Sequence, residues 1–259
     1  MNFLSILFCS ALLLLKLIST GDSMEIIGGN EAKPHSRPYM AFLIGSRYCG
    51  GTLIKPNWVL TAAHCPLKNK DSVILGAHNW RKNEKEQQRL FVLRAVRHPD
   101  YEKCTKSNDI QLVQLDRPAK MTASVSVFSL LPSEKDLKHG TMCSTAGWGV
   151  TKANSNTSSS VLREANLTIV ERDKCHKIYG KIKSKEVITK NMLCAGPLKR
   201  RKDDTCTGDS GGPLICGKDL RGIVSFGPDE CGNPDIPGVY TRLTTAYLNW
   251  IKKTIDGGF

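Results

Sequence analysis

The sequence predicts an all-β domain that ends on a single short helix. Short β-prone runs bounded by Gly, Pro and Asn turns recur along the chain, as at Trp58 to Leu60 and Ile110 to Val113. Helical spacing is absent until Tyr247, Leu248, Ile251 and Ile255, whose apolar side chains recur every three to four residues. No linker-like stretch interrupts residues 26–259, so one folding unit is expected there. A chain of 259 residues with 40% hydrophobic content buries a substantial core.

The amino-terminal element has a different character. Phe3 to Leu15 is an apolar run closed by Lys16, too short to cross a bilayer comfortably. Its length and position match the hydrophobic region of a secretory signal, although no charged side chain precedes it. Gly21 and Ser23 have the small-residue spacing of a signal-peptidase site. Cleavage after Ser23 makes residues 1–23 a signal peptide and leaves Met24-Glu25 as an activation dipeptide; cleavage after Gly21 is the alternative. No other stretch is long enough for a membrane-spanning helix, and a secreted protein is expected.

Three polar residues carry the candidate chemistry. In Gly208-Asp209-Ser210-Gly211-Gly212-Pro213 a serine lies among glycines, which admit backbone angles that turn N–H groups inward. Such donors beside a serine stabilise the oxyanion formed when its hydroxyl attacks a carbonyl. That hydroxyl needs a base, and the base needs an orienting group. His64 closes the apolar run Trp58 to Ala63, and Asp109 opens the run Ile110 to Val113. Taken singly, His64 reads as a core or surface histidine and Asp109 as a strand cap. Together with Ser210 they follow in the order His, Asp, Ser.

That order, with its flanking residues, resembles the chymotrypsin-like serine proteases. The matching segments are Ile26-Ile27-Gly28-Gly29, Thr61-Ala62-Ala63-His64-Cys65, Asn108-Asp109-Ile110, Gly147-Trp148-Gly149, the serine motif and Pro237-Gly238-Val239-Tyr240. The resemblance implies two six-stranded antiparallel β-barrels over residues 26–259, with His64 and Asp109 from the first barrel and Ser210 from the second. It implies Ser210 as nucleophile, His64 as base, Asp109 as orienting group, and the N–H groups of Gly208 and Ser210 as oxyanion donors. Asp204 would lie at the base of the substrate pocket between walls at Gly227 and Gly238, which implies protein substrates cleaved after Arg or Lys. Cutting before Ile26 would free an ammonium group that folds inward onto Asp209. Serine protease inhibitors are the expected regulators, and no cofactor is implied.

Ten cysteines are present, and loss of Cys9 with the signal leaves an odd number. The resemblance pairs Cys49 with Cys65, Cys143 with Cys216, Cys175 with Cys194, and Cys206 with Cys231. Cys104 is left over in the polar stretch Asp100 to Ser107, which reads as an exposed loop. Pro34 to Met40, Val73 to His78, Gly222 to Gly227 and Leu248 to Ile251 look like the granzymes, the granule proteases of lymphocytes. That likeness implies storage in secretory granules, a role in cytotoxic killing, and a homodimer bridged through Cys104. A granzyme K-like enzyme or a mast-cell-type tryptase is the alternative among enzymes. An inactive heparin-binding homologue is disfavoured, because all three members of the triad are present.

The formal charge is +13, and loss of Lys16, Asp22 and Glu25 with residues 1–25 raises it to +14. Lys199-Arg200-Arg201-Lys202 is the densest basic run. Such a balance favours anionic polymers, and a sulfated proteoglycan suits a secreted protease. No nucleic-acid fold or aromatic stacking platform accompanies the charge. Asn156-Thr157-Ser158 and Asn166-Leu167-Thr168 are glycosylation sequons. The remaining histidines have no metal-binding spacing, and Ala77 stands where calcium-binding relatives place an acid, so no metal is expected.

Overall fold

Two closed antiparallel barrels, each of six strands, account for most of the regular structure among the described residues. The computed structural model describes residues 29–131, 135–151, 157–182, 186–198, 205–206, 208–228 and 231–257. After the short strand β1 (Asn30–Glu31), the first barrel is built from β2 (Met40–Ile44), β3 (Tyr48–Lys55), β4 (Trp58–Thr61), β5 (Ser72–Leu75), β6 (Gln88–Arg97) and β7 (Gln111–Leu115). Its strands close in the order β2-β3-β4-β7-β6-β5. Closure leaves no free sheet edge.

The second barrel contains β8 (Met142–Gly147), β9 (Arg163–Val170), β10 (Met192–Pro197), β11 (Pro213–Cys216), β12 (Asp219–Phe226) and β13 (Gly238–Arg242). It closes where β9 pairs with β8, and β1 adds to β9 at Glu164 and Arg163, before β10 takes over that side. Along β9 the even alternation of Ala165, Leu167 and Ile169 points inward, as a period of two requires. Phe42, Met40 and Ile74 of the first barrel meet Ala146, Trp148 and Leu162 of the second in one buried cluster. The Trp148 indole N–H donates to the His78 carbonyl across this seam, at 3.1 Å.

Among the described residues, two helices lie outside the barrels. The expected carboxy-terminal helix is α2 (Thr245–Ile255), capped by the Thr244 hydroxyl, which accepts from the Tyr247 N–H. Tyr247 and Ile251 return to the first barrel and join its core, with Leu248 and Ile255 packed at the margin. The other helix, α1 (Arg172–Lys181), has no counterpart in the sequence expectation. It buries only Cys175 and Tyr179, and so narrow an apolar stripe gives little periodic signal.

All four expected intrachain disulfides are formed: Cys49–Cys65, Cys143–Cys216, Cys175–Cys194 and Cys206–Cys231. Cys104 is free and exposed.

Candidate active site

His64 comes from the turn that ends β4, and Asp109 from the residues just before β7. Because β4 and β7 pair in the first barrel, with Thr61 opposite Gln111, these two ends are brought together. The Asp109 side chain is completely buried and the His64 side chain 19% exposed. One carboxylate oxygen of Asp109 accepts the His64 backbone N–H at 2.8 Å, and the other lies 2.7 Å from Nδ1 of the ring. An ionised carboxylate only accepts, so Nδ1 carries the proton and the lone pair sits on Nε2. That is the tautomer a general base needs.

A buried carboxylate is costly unless its oxygens are fully used. The second barrel supplies what the first does not. Ser225 of β12 donates its hydroxyl to Asp109 Oδ2 at 2.5 Å, and Thr241 of β13 donates to the Asp109 carbonyl at 2.8 Å. The pairing of β12 with β13 shifts register between Val224 and Phe226, so Ser225 is the extra residue of a bulge. Bulges re-aim side chains, and here the hydroxyl is directed at the neighbouring barrel. Asn108 is held at φ 55° between Tyr247, whose hydroxyl donates to its side-chain oxygen, and the Asp100 carbonyl.

Ser210 lies in the turn before β11, between Gly208 at φ 101° and Gly211 at φ 82°. Both are left-handed conformations that favour glycine. At Gly211 space is decisive as well, since a Cβ would overlap the Thr61 hydroxyl and come within 2.6 Å of the Gly50 carbonyl. The turn is docked on the first barrel by Gly50, whose N–H donates to the Ser210 carbonyl at 2.8 Å. The N–H groups of Asp209, Gly211 and Gly212 are all used within the second barrel. Those of Gly208 and Ser210 donate to nothing among the described residues.

Asp209 is wholly buried behind this turn. It accepts the N–H of Gly149 at 2.8 Å and that of Cys206 at 3.0 Å, and no cation pairs with it among the described residues. Burial pushes its carboxyl up to about 6 despite those two donors. Gly227 and Gly238 face each other, so that a Cβ on Gly227 would reach the Gly238 Cα at 3.9 Å. The Thr205 and Tyr240 hydroxyls share a hydrogen bond of 3.3 Å beside them. Asp204, Ile26, Asn156 and the run 199–202 lie outside the described residues. Asn166 is exposed on β9.

Ser225, Thr241 and Thr205 were not singled out as site residues by the sequence. Ser225 does stand within the Gly222 to Gly227 segment that carried part of the resemblance, which was the available signal.

Residues 26–251 match the trypsin family. The chain is 48% identical to granzyme A of Bos taurus, covering 90% of this chain and 88% of that protein. It is 46% identical to mast cell protease 3 of Ovis aries over 94% of this chain and 95% of that one. Among solved structures it resembles neuropsin, a serine protease expressed in the limbic system of mouse brain. That likeness has a TM-score of 0.78 at 39% identity, and covers 88% of this chain and 98% of that one.

Proposed function

The chain belongs to the trypsin family of serine proteases, and from that premise we propose a granule-stored endopeptidase of the granzyme A type that cleaves after Arg or Lys. It is a serine protease related to granzymes and mast cell proteases. The observation that carries the catalytic reading is the His64–Asp109 pair, closed at 2.7 Å over a buried carboxylate beside the Ser210 turn.

The proposed reaction is acyl transfer. Ser210 Oγ attacks the carbonyl after the basic residue while His64 Nε2 takes its proton, and Asp109 stabilises the imidazolium. The N–H groups of Gly208 and Ser210 receive the oxyanion. His64 then gives its proton to the leaving amine, and water hydrolyses the acyl-enzyme by the same steps. Specificity is assigned to Asp204, placed six residues before Ser210 where trypsin-like members hold a pocket carboxylate, with Gly227 and Gly238 leaving room for a long side chain.

Activation follows from removal of the residues before Ile26. The new ammonium group is assigned to Asp209, whose burial and lack of a cation among the described residues are the support for this pairing. Exposed Cys104 is assigned to an interchain bridge between two copies. A charge of +13 supports storage on sulfated proteoglycan, and Asn156 and Asn166 are assigned glycans. Delivery by cytotoxic lymphocytes and control by serine protease inhibitors complete the reading.

The test is hydrolysis of small thioesters by enzyme whose mature amino terminus is verified as Ile26. Cleavage of the Arg and Lys esters, none of the Phe ester, and loss of both activities in Ser210→Ala are expected. Preference for Phe would overturn the pocket assignment, and activity surviving in Ser210→Ala would overturn the mechanism.

A further inference from the structure

Beside His64 lies a cleft of about 420 Å³ whose lining includes four basic side chains from three segments of the chain. Arg47 enters from the turn between β2 and β3, Arg97 from the end of β6, and Lys103 and Lys106 from the loop leading to Asp109. Among the described residues, none of the four forms an ion pair within 4.0 Å. Arg97 gives one neutral hydrogen bond, to the Gln111 side-chain oxygen at 3.3 Å. Of the neighbouring carboxylates, Glu102 accepts the Cys104 N–H at 3.0 Å, Asp109 is buried beneath His64, and exposed Asp100 forms no ion pair with any of the four among the described residues.

The loop that carries the two lysines is built rather than slack. Glu102 and Ser107 pair across it through an N–H···O bond of 3.0 Å, and the Thr105 hydroxyl donates to that of Ser107 at 3.0 Å. Lys106 is held at φ 56°, a conformation that a non-glycine residue adopts only under constraint. Tyr101 lines the same cleft with a buried hydroxyl that has no partner among the described residues. Burial and the Asp109 charge push that hydroxyl up to about 12, so it is a neutral donor at physiological pH. Four basic side chains around one cavity, none of them in an ion pair among the described residues, form a receptor for a carboxylate.

We infer that this cleft is a subsite for an Asp or Glu side chain of the substrate, on a residue flanking the cleaved bond. The inference rests on the protease reading above, because His64 is both a wall of the cleft and the proposed base, which places the reacting bond at its mouth. A substrate chain crossing His64 therefore presents its neighbouring side chains to Arg47, Arg97, Lys103 and Lys106. The preferred substrates then carry an acid beside the basic residue at which they are cut.

The experiment uses quenched fluorescent peptides with one Arg, in pairs that differ only as Asp or Asn at the residue before it or at either residue after it. At least one Asp peptide should exceed its Asn partner about five- to tenfold in kcat/KM near 0.05 M salt, and the ratio should approach one near 1 M. In the double variant Lys103→Gln, Lys106→Gln the same ratio should fall toward one, each ratio being internal to one preparation. Equal rates for every pair would overturn the subsite. So would an Asp preference that survives the double variant, or inhibition of all peptides alike by heparin with no Asp preference, which would assign the cleft to a polyanion. Failure of the parent enzyme to cleave an Arg thioester would overturn the protease reading and the subsite together. Thioester cleavage without an acid preference overturns the subsite alone.

Discussion

The Ser225 hydroxyl lies 2.5 Å from Asp109 Oδ2, so a residue of the second barrel completes the solvation of a carboxylate belonging to the first. The same oxygen meets His64 Nδ1 at 2.7 Å, and the other accepts the His64 N–H. Asp109 thus keeps two donors from His64 if Ser225 is lost. Ser225→Ala should lower kcat by less than about tenfold, while costing about 1–3 kcal/mol of stability through a weakened buried charge. Asp109→Asn is different in kind, because the amide can donate to Nδ1 and favour the wrong tautomer. A loss on the order of 10⁴-fold in kcat is expected there. Steady-state kinetics on an Arg thioester with thermal melts on each variant checks both, and equal losses would refute the assignment of roles.

One substitution made at two glycines should give opposite results. A Cβ on Gly149 would overlap the Asp209 carboxylate, which is fixed behind the Ser210 turn. Gly149→Ala should therefore displace Asp209 and cost about a hundredfold or more in kcat/KM. At Gly180, near the exposed end of α1, a Cβ meets nothing within 4 Å. Gly180→Ala should leave catalysis intact and add about 0.5–1 kcal/mol of stability. Active-site titration beside thermal melts separates the two cases.

These contrasts show where sequence reasoning had purchase. His64, Asp109 and Ser210 were legible as a set, because the order His, Asp, Ser and the glycines around Ser210 are visible in the chain itself, although each residue alone reads otherwise. The two barrels and the four disulfide pairings were legible only through resemblance, since closure and pairing depend on contacts far apart in sequence. Ser225 gave no signal of its own. A strand serine points to either face, and only the bulge between Val224 and Phe226 decides which. The basic cleft was hidden for a similar reason, because Arg47, Arg97, Lys103 and Lys106 meet only after three separate segments fold around His64. Helix α1 escaped because its two buried side chains, one of them a cystine half, leave no apolar stripe to count.

Cys104 offers a test of assembly independent of catalysis. It is exposed in the loop that also bears Lys103, with its N–H bound to Glu102 rather than its thiol committed to a partner within the chain. Mature enzyme should run as a dimer in non-reducing electrophoresis and as a monomer after reduction, and Cys104→Ser should be monomeric in both. Thioester hydrolysis should survive that change, because exposed Cys104 has no part in the proposed catalytic machinery. A monomer without reductant would remove the interchain bridge from the proposed function.

Asp209 should make the stability of the uncut chain fall as pH rises. Its carboxyl is pushed up to about 6 by burial, against an ordinary value near 4 in the unfolded chain. Between those values the folded chain holds a proton that the unfolded chain has released, so raising the pH favours unfolding. The stabilisation is complete below about pH 4 and lost by about pH 6, a change of about 3 kcal/mol if no cation intervenes. An ammonium group at Ile26 would hold the carboxyl ionised and remove that slope. The measurement is thermal unfolding from pH 4 to 7.5 of a Ser210→Ala chain, which cannot digest itself, with residues 24–25 present or removed. The uncut form should lose stability across pH 4–6 relative to its Asp209→Asn counterpart, whatever the absolute stability of that variant. The cut form should not. Parallel curves for the uncut pair would show that Asp209 does not titrate in this window, and identical behaviour of cut and uncut chains would break the link between Ile26 and Asp209.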